Sequence, residues 1–151
     1  MDLKDIHIKQ IENLMKYEFK YLVQESKEEG FNFLKKLINE YENKLNTFNK
    51  TCECLYGIFQ GEKLIGIGGL NEDPYTENNK IGRLRRFYIS KDYRRIGLGK
   101  SLLNKLLSHA EKNFKVVVLH TDTKQGDAFY SANGFVKGQV YKGSSHYKVL
   151  C

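Results

Sequence analysis

Apolar and polar residues follow two different periods in the first third of the chain. Residues 5–11 alternate between polar and apolar, which is typical of a strand with one buried face. Between residues 12 and 48 the apolar side chains recur every three or four positions instead. This spacing predicts two amphipathic helices, and Gly30 is expected to separate them.

A β-hairpin is predicted next. Two apolar runs, residues 54–59 and 64–70, flank a short polar turn that contains a glycine. The second run is interrupted by three glycines, Gly66, Gly68 and Gly69. Glycine in a strand often marks a close approach of another part of the chain, so we expect tight packing against this strand.

The remaining pattern alternates strands with helices. An apolar stripe of leucines defines the longest helix, and a continuous run of valine and leucine is typical of a strand that is buried on both faces. The predicted elements are a polar loop over 71–80, a strand over 82–90, a helix over 97–113, a strand over 115–121, a helix over 125–133 and a hairpin over 135–141 and 146–150. This order predicts a mixed α/β domain whose helices cover a central sheet.

Basic charge is concentrated in the second half of the chain. The formal net charge is +7, yet residues 1–79 carry a net charge of −4 and residues 80–151 a net charge of +11. Nine Lys and Arg residues face a single acid, Asp92, between residues 80 and 105. Such a patch suits nucleic acid or a small molecule with several phosphates. Composition alone favours an ordinary solvated basic face.

Cysteine usage and hydropathy indicate a cytoplasmic protein without a metal. The three cysteines, Cys52, Cys54 and Cys151, have no framework spacing, which predicts reduced thiols. No second pair or nearby histidine completes a metal site around Cys52 and Cys54. No apolar stretch approaches the roughly 20 residues that span a bilayer, and the N-terminus lacks the apolar core of a signal peptide. We therefore expect no membrane partner.

The most informative segment is a basic turn between a predicted strand and a predicted helix, Arg94-Arg95-Ile96-Gly97-Leu98-Gly99-Lys100. The start of a helix leaves about four backbone N–H groups without partners, and the helix dipole adds partial positive charge there. Gly97 and Gly99 lack a Cβ, so an anion can approach the backbone closely. The turn is therefore expected to bind phosphate.

Three phosphate-binding motifs can be compared with this turn. The P-loop pattern G-x-x-x-x-G-K-[ST] matches residues 99–101 at its end, but its first glycine falls on Arg94. The dinucleotide pattern G-x-G-x-x-G places its last glycine on Leu102. The pattern Arg-x-x-Gly-x-Gly fits residues 94–99 in full. A helix cap that binds no ligand is the structural alternative.

With this turn in place, the sequence resembles the GNAT superfamily of N-acetyltransferases. Residues 87–103 are similar to the coenzyme A motif of that family, and residues 128–135 are similar to its second motif, which ends in Tyr-x-x-x-Gly-Phe. A buried strand lies between the two motifs, as the family requires. The resemblance implies one GNAT-like domain over residues 1–151, with a mostly antiparallel, twisted sheet of about seven strands flanked by four helices.

The resemblance also implies an activity and a cofactor site. The acetyl group would pass from acetyl-CoA to a primary amine by direct attack, through a tetrahedral intermediate, with no metal. Backbone N–H groups of the strand before the turn would bind the pantetheine arm and stabilise the oxyanion. The implied cofactor-binding residues are Phe87, Tyr88, Ile89, Arg94, Arg95, Ile96, Gly97, Leu98, Gly99 and Lys100.

Tyr130 matches the tyrosine of the second motif. The resemblance implies that its phenol, with a pKa near 10 in water, donates a proton to the departing thiolate. The chain departs from the family just before this tyrosine, because the usual Asn-x-x-Ala reads Thr123-x-x-Gly126 here. Whether Thr123 replaces the cofactor contact of that asparagine stays open. A core aromatic is the alternative role for Tyr130.

The acceptor amine is harder to predict than the cofactor. An acidic loop precedes the strand of the cofactor motif, which makes Glu72 and Asp73 candidates for binding a cationic amine. These two acids are also candidates for the general base, together with His120 and Asp122. The acceptor would be a small-molecule amine or a peptide amine, and both monomer and homodimer are left open. The other histidines, His7, His109 and His146, are expected at the surface or in the final hairpin.

Three alternatives to an active acetyltransferase remain from the residues alone. The arginines between residues 83 and 95 could serve a nucleic-acid-binding domain, but no recognised binding motif is present, so we expect no nucleic acid partner. A degenerate P-loop protein would use Asp122 to hold a metal ion. A catalytically inactive domain that senses acyl-CoA would keep the turn and lose the chemistry.

Overall fold

The structure, a computed structural model, describes residues 4–150. Cys151, one of the expected thiols, lies outside the described residues. The strands are β1 (Ile6–Gln10), β2 (Cys54–Gln60), β3 (Lys63–Glu72), β4 (Ile81–Ile89), β5 (Val116–Leu119), β6 (Val136–Lys137) and β7 (His146–Val149). The helices are α1 (Lys20–Glu28), α2 (Phe33–Glu42), α3 (Leu98–Ala110) and α4 (Lys124–Ala132). Two single 3₁₀ turns, Leu14–Lys16 and Lys91–Tyr93, precede α1 and α3.

All seven strands join one sheet in the order β1-β2-β3-β4-β5-β7-β6. Every neighbouring pair is antiparallel except β4 and β5, which are parallel because α3 connects them as a crossover. The mixed α/β class, the mostly antiparallel sheet and the four helices are thus confirmed.

The core lies on both faces of the sheet. On one face α3 buries Leu102, Leu103 and Leu106 against the strands, and α4 adds its own aromatic residues. On the other face α1 and α2 bury the leucines of the N-terminal helical pattern, Leu22, Leu34 and Leu37. The sheet is therefore covered by one pair of helices on each side, as the two amphipathic patterns require.

Glycines end two helices where the sequence predicted a break. Gly30 follows α1 with φ of 92°, and Gly134 follows α4 with φ of 90°. After α4, the Phe135 N–H donates to the Tyr130 carbonyl at 3.0 Å, which closes a Schellman motif. Only glycine adopts this left-handed conformation without steric cost.

The glycines of β3 allow the close packing that the sequence suggested. A Cβ on Gly69 would stand 2.3 Å from the ring of Phe48. A Cβ on Gly68 would stand 2.9 Å from both Leu106 and Phe87. Both distances are below van der Waals contact, so any side chain here would displace the core.

Two features of β4 create an opening in the middle of the sheet. β4 pairs with β5 only from Ile81 to Arg83, and the strands part beyond that point. Opposite Gly68, the register with β3 shifts so that Arg86 and Phe87 face one residue, and Arg86 has φ of 59°. A bulge of this kind bends the strand and leaves the extra residue out of the hydrogen-bond ladder.

Several predicted boundaries were wrong by two residues or more, and two of them have a clear cause. The loop expected over residues 71–80 begins two residues later, because β3 continues to Glu72 through its pairing with Gly82. The first strand of the final hairpin, expected over residues 135–141, keeps only two residues. Val140 is exposed, so no buried side chain holds the chain against β7 beyond that point.

Candidate active site

A cleft of about 1430 Å³ occupies the opening between β4 and β5. It begins at the basic turn, follows the free edge of β4 and ends near Tyr75 and Gly143. Residues from both faces of the sheet line it, including Phe129 from α4 and Glu40 from α2. Eight Lys and Arg residues and two acids are among the described residues of its wall, which explains the position of the basic charge in the sequence.

The basic turn presents unpaired backbone donors at one end of this cleft. Gly97 takes φ of 87° as the residue before α3, and no side chain caps the helix. The N–H groups of Leu98, Gly99 and Lys100 make no hydrogen bond within residues 4–150. A helix start of this kind attracts anions.

The space around Gly99 suits a phosphate. A Cβ placed on Gly99 would meet only the ring of Phe129, at 3.4 Å, and Ile89 at 3.7 Å. The protein itself therefore tolerates alanine here, and the missing side chain leaves room in front of the N–H groups. The turn and its free donors suit an anionic group such as a phosphate.

Two of the expected cations are free and one is engaged. Arg95, whose φ is 65°, and Lys100 are exposed and form no ion pair with the described residues. Arg94 instead forms a bidentate ion pair with Glu29, at 2.6 and 3.1 Å, and its Nε donates to the Ile89 carbonyl at 2.8 Å. Within the protein Arg94 therefore fastens the turn to the end of α1.

The side chain of Tyr88 points to α1, on the opposite face from α4. Its hydroxyl donates to the carboxylates of Glu25, at 2.8 Å, and Glu29. Burial and these two acids raise the pKa of Tyr88 far above that of free tyrosine. Only the backbone of Tyr88 can contribute to cofactor binding, whereas its ring belongs to the α1 side of the core.

Thr123 and Gly126 explain the departure from the family pattern. The Thr123 hydroxyl accepts a hydrogen bond from the Gly126 N–H at 2.9 Å and so caps α4. A Cβ on Gly126 would stand 2.3 Å from the Thr121 hydroxyl, so alanine does not fit. Thr123 and Gly126 form a matched pair in the local structure of the helix start.

Tyr130 lies in the wall of the cleft. It is buried among Phe87, Phe129 and Phe135, whose ring centroids are 6.0, 5.1 and 5.6 Å away. Its hydroxyl makes no hydrogen bond to the described residues, although the residue lines the cleft. Burial raises the pKa of Tyr130 above that of free tyrosine, so the phenol holds its proton at neutral pH.

The expected acceptor acids need a correction. The Asp73 carboxylate is buried and accepts a hydrogen bond from Arg83 Nε at 2.8 Å, so it offers no free charge to an amine. Glu72 contacts Lys50 at 3.6 Å and accepts a hydrogen bond from the Cys52 thiol. Neither acid lines the cleft, because β3 and the buried ion pair turn them away from it.

His120 and Asp122 are the candidate bases that the structure brings to the cleft. Both follow β5, at the point where it has left β4, and both are exposed in the cleft wall. No other candidate base from the sequence lies there. Because β4 and β5 separate at this point, His120 and Asp122 are the two of the four candidate bases that line the cleft.

His146 lies in the final hairpin, as one of the two expected positions, and its side chain is buried. Its Nε2 lies 2.7 Å from Asp127 and its Nδ1 lies 2.8 Å from the Ser145 hydroxyl. This histidine lowers the pKa of the Asp127 carboxyl. Its ring lies 6.4 Å from the ring of Tyr130, so it supports the core beneath the tyrosine. Sequence spacing gave no sign of this pairing.

Cys52 and Cys54 are unsuited to act as nucleophiles in the cleft. Burial raises the pKa of Cys54 to about 12, and burial and Glu72 raise the pKa of Cys52. A thiolate is the reactive form of cysteine. Neither residue lines the cleft, so an acyl-enzyme on Cys52 or Cys54 is not supported.

Three arginines of β4 on the α2 side of the sheet differ in their partners. Arg83 is saturated, since it pairs with Asp73 and donates to the carbonyls of Lys142 and Gly143, both at 3.0 Å. Arg86 donates to Glu40 at 3.1 Å, but its buried Nε has no partner. Arg85 makes no hydrogen bond or ion pair with the described residues, and its burial lowers its pKa.

Comparison with known proteins places this fold and cleft in a family. Residues 14–135 match the model of the acetyltransferase (GNAT) family. The chain therefore belongs to the GNAT family of acetyltransferases, whose members use acetyl-CoA. The resemblance inferred from the turn and the second motif is confirmed.

Individual relatives agree with this assignment. A presumed acetyltransferase from Exiguobacterium sp. 255-15 has the same fold, with a TM-score of 0.85 at 23% identity over 96% of this chain and 93% of its own. A presumed streptothricin acetyltransferase from Bacillus anthracis strain Ames, solved with acetyl coenzyme A, is 26% identical, with a TM-score of 0.55 over 67% of this chain and 64% of its own.

One curated relative adds a substrate name. A probable spermine N(1)-acetyltransferase from Bacillus subtilis subsp. natto strain BEST195 is 39% identical over 70 residues. The match spans 42% of this chain and less than half, 46%, of that relative.

Among residues 4–150, no helix is both long and apolar enough to cross a membrane.

Proposed function

We propose that this protein is an N-acetyltransferase that moves the acetyl group of acetyl-CoA to a primary amine. One observation carries the proposal: the turn with its unpaired N–H groups and Tyr130 line the same cleft. The turn suits the pyrophosphate, and the edge of β4 that is unpaired with β5 beyond Arg83 offers backbone groups to the pantetheine arm. The thioester would then lie where β4 bulges and Tyr130 lines the wall.

The reaction needs four events, each with a group in the cleft. The amine nitrogen attacks the thioester carbonyl carbon, and a C–N bond forms while the carbonyl oxygen takes up negative charge. A backbone N–H freed by the bulge at residues 86–87 stabilises this oxyanion. The intermediate collapses, the C–S bond breaks, and the thiolate accepts the phenolic proton of Tyr130. The amine proton leaves to a base, and Tyr130 regains its proton from water.

His120 or Asp122 is the proposed base, acting directly or through a water molecule. Both groups are exposed beside the open edge of β5, so water reaches them. Glu72 and Asp73 are unsuited to this role, because they lie outside the cleft and Asp73 is paired. A bell-shaped rate profile with pH would report one group of this set and one acid.

A polyamine acceptor is the second candidate, and the spermine N(1)-acetyltransferase relative is the observation that favours it. Polyamines carry several positive charges, so their site requires free acids. The described cleft wall offers Glu40, which is paired with Arg86, and Asp122, which is exposed. This charge balance favours a different acceptor.

Binding and turnover test the proposal separately. Calorimetry is expected to show acetyl-CoA binding well above that of ATP, NAD or duplex DNA. Mass spectrometry of a mixed amine panel with acetyl-CoA is expected to show at least one N-acetylated product. ATP binding as tight as that of acetyl-CoA would favour the P-loop alternative, and salt-sensitive DNA binding would favour the nucleic-acid alternative. Binding of acetyl-CoA without any product would leave the acyl-CoA sensor.

A cytoplasmic location accompanies this proposal. Two observations support it: Cys54 is buried and Cys52 is half-buried, and both are free thiols in the described chain. Free thiols persist in reducing compartments. Cell fractionation with an antibody against the protein would test the location, and recovery in a membrane or extracellular fraction would contradict it.

A further inference from the structure

An unpaired guanidinium lines the cleft at a point where the cofactor turn does not need it. Arg85 is half-buried on β4, two residues beyond the end of the pairing with β5. Its electrostatic neighbours are Arg83, Arg86, Glu40 and Tyr75, all on the α2 side or at the far end of the cleft. The cations of the turn lie at the opposite end.

The nearby acids neutralise Arg85 only in part, because other arginines engage them. Asp73 is held by Arg83 at 2.8 Å, and Glu40 is held by Arg86 at 3.1 Å. Lys36 adds a further exposed cation from α2 to the same wall. A half-buried charge without a partner costs free energy, so its retention in a cleft indicates a ligand that supplies the partner.

Arg86 gives an independent sign of the same ligand chemistry. Its Nε is buried and has no hydrogen-bond partner, while its Nη2 is bound to Glu40. A buried donor without an acceptor is rare in folded proteins. The residue also adopts a left-handed backbone, with φ of 59°, at the bulge. Arg86 thus keeps a buried, unused donor next to Arg85 in the wall of the cleft.

We infer that Arg85 binds an anionic group of the acceptor, so that the preferred acceptor is an amine that also carries a carboxylate or a phosphate. The inference rests on the acetyl-transfer function proposed above and specifies its acceptor class. Guanidinium binds both anions through paired N–H donors. Lys36, an exposed cation of the cleft wall, adds attraction, and a second ammonium on the acceptor would be repelled.

Four small amines with different second groups test this inference. Butylamine has no second group, 4-aminobutyrate has a carboxylate, O-phosphoethanolamine has a phosphate, and 1,4-diaminobutane has a second ammonium. For the wild-type protein, kcat/KM is expected to be at least tenfold higher for one of the two anionic amines than for butylamine. The diamine is expected to be the poorest acceptor. The two anionic amines distinguish a carboxylate-specific site from a phosphate-specific one.

Substitutions at Arg85 then assign the preference to this residue. Arg85→Gln is expected to lower the ratio of kcat/KM for the anionic amine over butylamine by roughly 10- to 100-fold, as for a lost charged hydrogen bond. Arg85→Lys is expected to restore part of the ratio. Arg85→Glu is expected to reverse the order and favour 1,4-diaminobutane. Lys105→Gln removes an exposed charge of α3 outside the cleft and is expected to leave the ratio unchanged.

A binding measurement keeps the inference separate from catalysis. Calorimetry with coenzyme A present is expected to detect the preferred anionic amine with the wild-type protein and with Arg85→Lys, but at least tenfold weaker with Arg85→Gln. This arm requires no turnover. Acetyl transfer to butylamine or the diamine with an Arg85-independent ratio would overturn the inference while leaving the proposed function intact. Arg85-dependent anion binding without transfer to any amine would support an anion site at Arg85, but it would contradict the proposed function and with it the role of the anion as an acceptor.

Discussion

The two ends of the cleft present positive charge in different ways. At the turn, the charge comes from backbone N–H groups at the start of α3 and from the exposed side chains of Arg95 and Lys100. At the α2 end, it comes from the side chains of Arg85 and Arg86, which are partly buried on a strand. The first arrangement needs only local backbone geometry, whereas the second depends on which acids the fold brings nearby.

The two ends of the cleft therefore differ in how far they can be recognised from the sequence. A turn with glycines at fixed spacing keeps its backbone N–H donors whatever the rest of the chain does. A short stretch of sequence is therefore enough to predict an anion site there. The arginines of β4 look alike in the sequence, yet the fold saturates Arg83 and leaves Arg85 unpaired. Substitutions at each end, and at the tyrosine between them, test the distinction.

Tyr130 lies in the cleft wall between the two ends, and its substitution is expected to have the largest effect. Tyr130→Phe is expected to lower kcat by roughly 10²- to 10⁴-fold, as for the loss of a general acid. Folding should be unaffected, because the hydroxyl makes no hydrogen bond within the described chain. Steady-state kinetics and thermal unfolding check both statements. Wild-type turnover in the variant would make Tyr130 a packing residue among Phe87, Phe129 and Phe135.

At the α2 end, Asp73→Ala is expected to destabilise the fold. Removing one partner of a buried ion pair leaves Arg83 uncompensated and costs about 3–5 kcal/mol. Urea unfolding measures this loss, and Glu72→Ala is the matched control, since its ion pair with Lys50 is exposed and worth about 1 kcal/mol or less. Normal stability of Asp73→Ala, together with a raised KM for a cationic amine, would return Asp73 to the acceptor site.

At the turn, Gly99→Ala is expected to weaken acetyl-CoA binding roughly 10- to 100-fold, because the methyl group occupies the space in front of the N–H groups. The protein should fold normally, since the added carbon makes only a 3.4 Å contact with Phe129. Calorimetry gives the affinity. Gly138→Ala, which adds a methyl group with no contact closer than 3.7 Å, is the control. Equal affinities for the two variants would remove the turn from the cofactor site.

The smallest effect is expected at the ion pair between Arg94 in the turn and Glu29 at the end of α1. Hydrogen bonds from Arg94 hold the pKa of Glu29 below its ordinary value of 4.5. Stability from this pair is therefore present above pH 4.5 and is lost as the pH falls through the lowered pKa. Glu29→Gln should cost about 1 kcal/mol or less at pH 7.

The pH profile of unfolding gives the decisive comparison for Glu29. The difference in unfolding free energy between the wild-type protein and Glu29→Gln is expected to shrink below pH 4.5. Glu28→Gln, which removes an exposed neighbouring acid that forms no ion pair with the described residues, is the matched control. Equal behaviour of the two variants would show that the ion pair with Arg94 does not form in solution.

The sequence predicted the fold and the position of the glycine turn before α3 well, because both rest on local patterns. Leucine periodicity placed α3, glycines marked the ends of α1 and α4, and the spacing of Gly97 and Gly99 marked the turn. Element boundaries failed where pairing depended on distant residues, as at Glu72. The acceptor side could not be predicted, since the pairing of Asp73 with Arg83, the burial of His146 and the isolation of Arg85 arise only when remote elements meet.

The single parallel pairing in the sheet also affects how the molecule is assembled. β2, β3 and β4 follow one another through short connections, so they form contacts that are close in sequence and require little loop closure. β5 joins β4 only after α3 has crossed over, through three residue pairs. Contacts of this longer range form slowly in general. We therefore expect the cleft to be among the last regions to form. A chain released from the ribosome would pair β2, β3 and β4 before it could bind a cofactor.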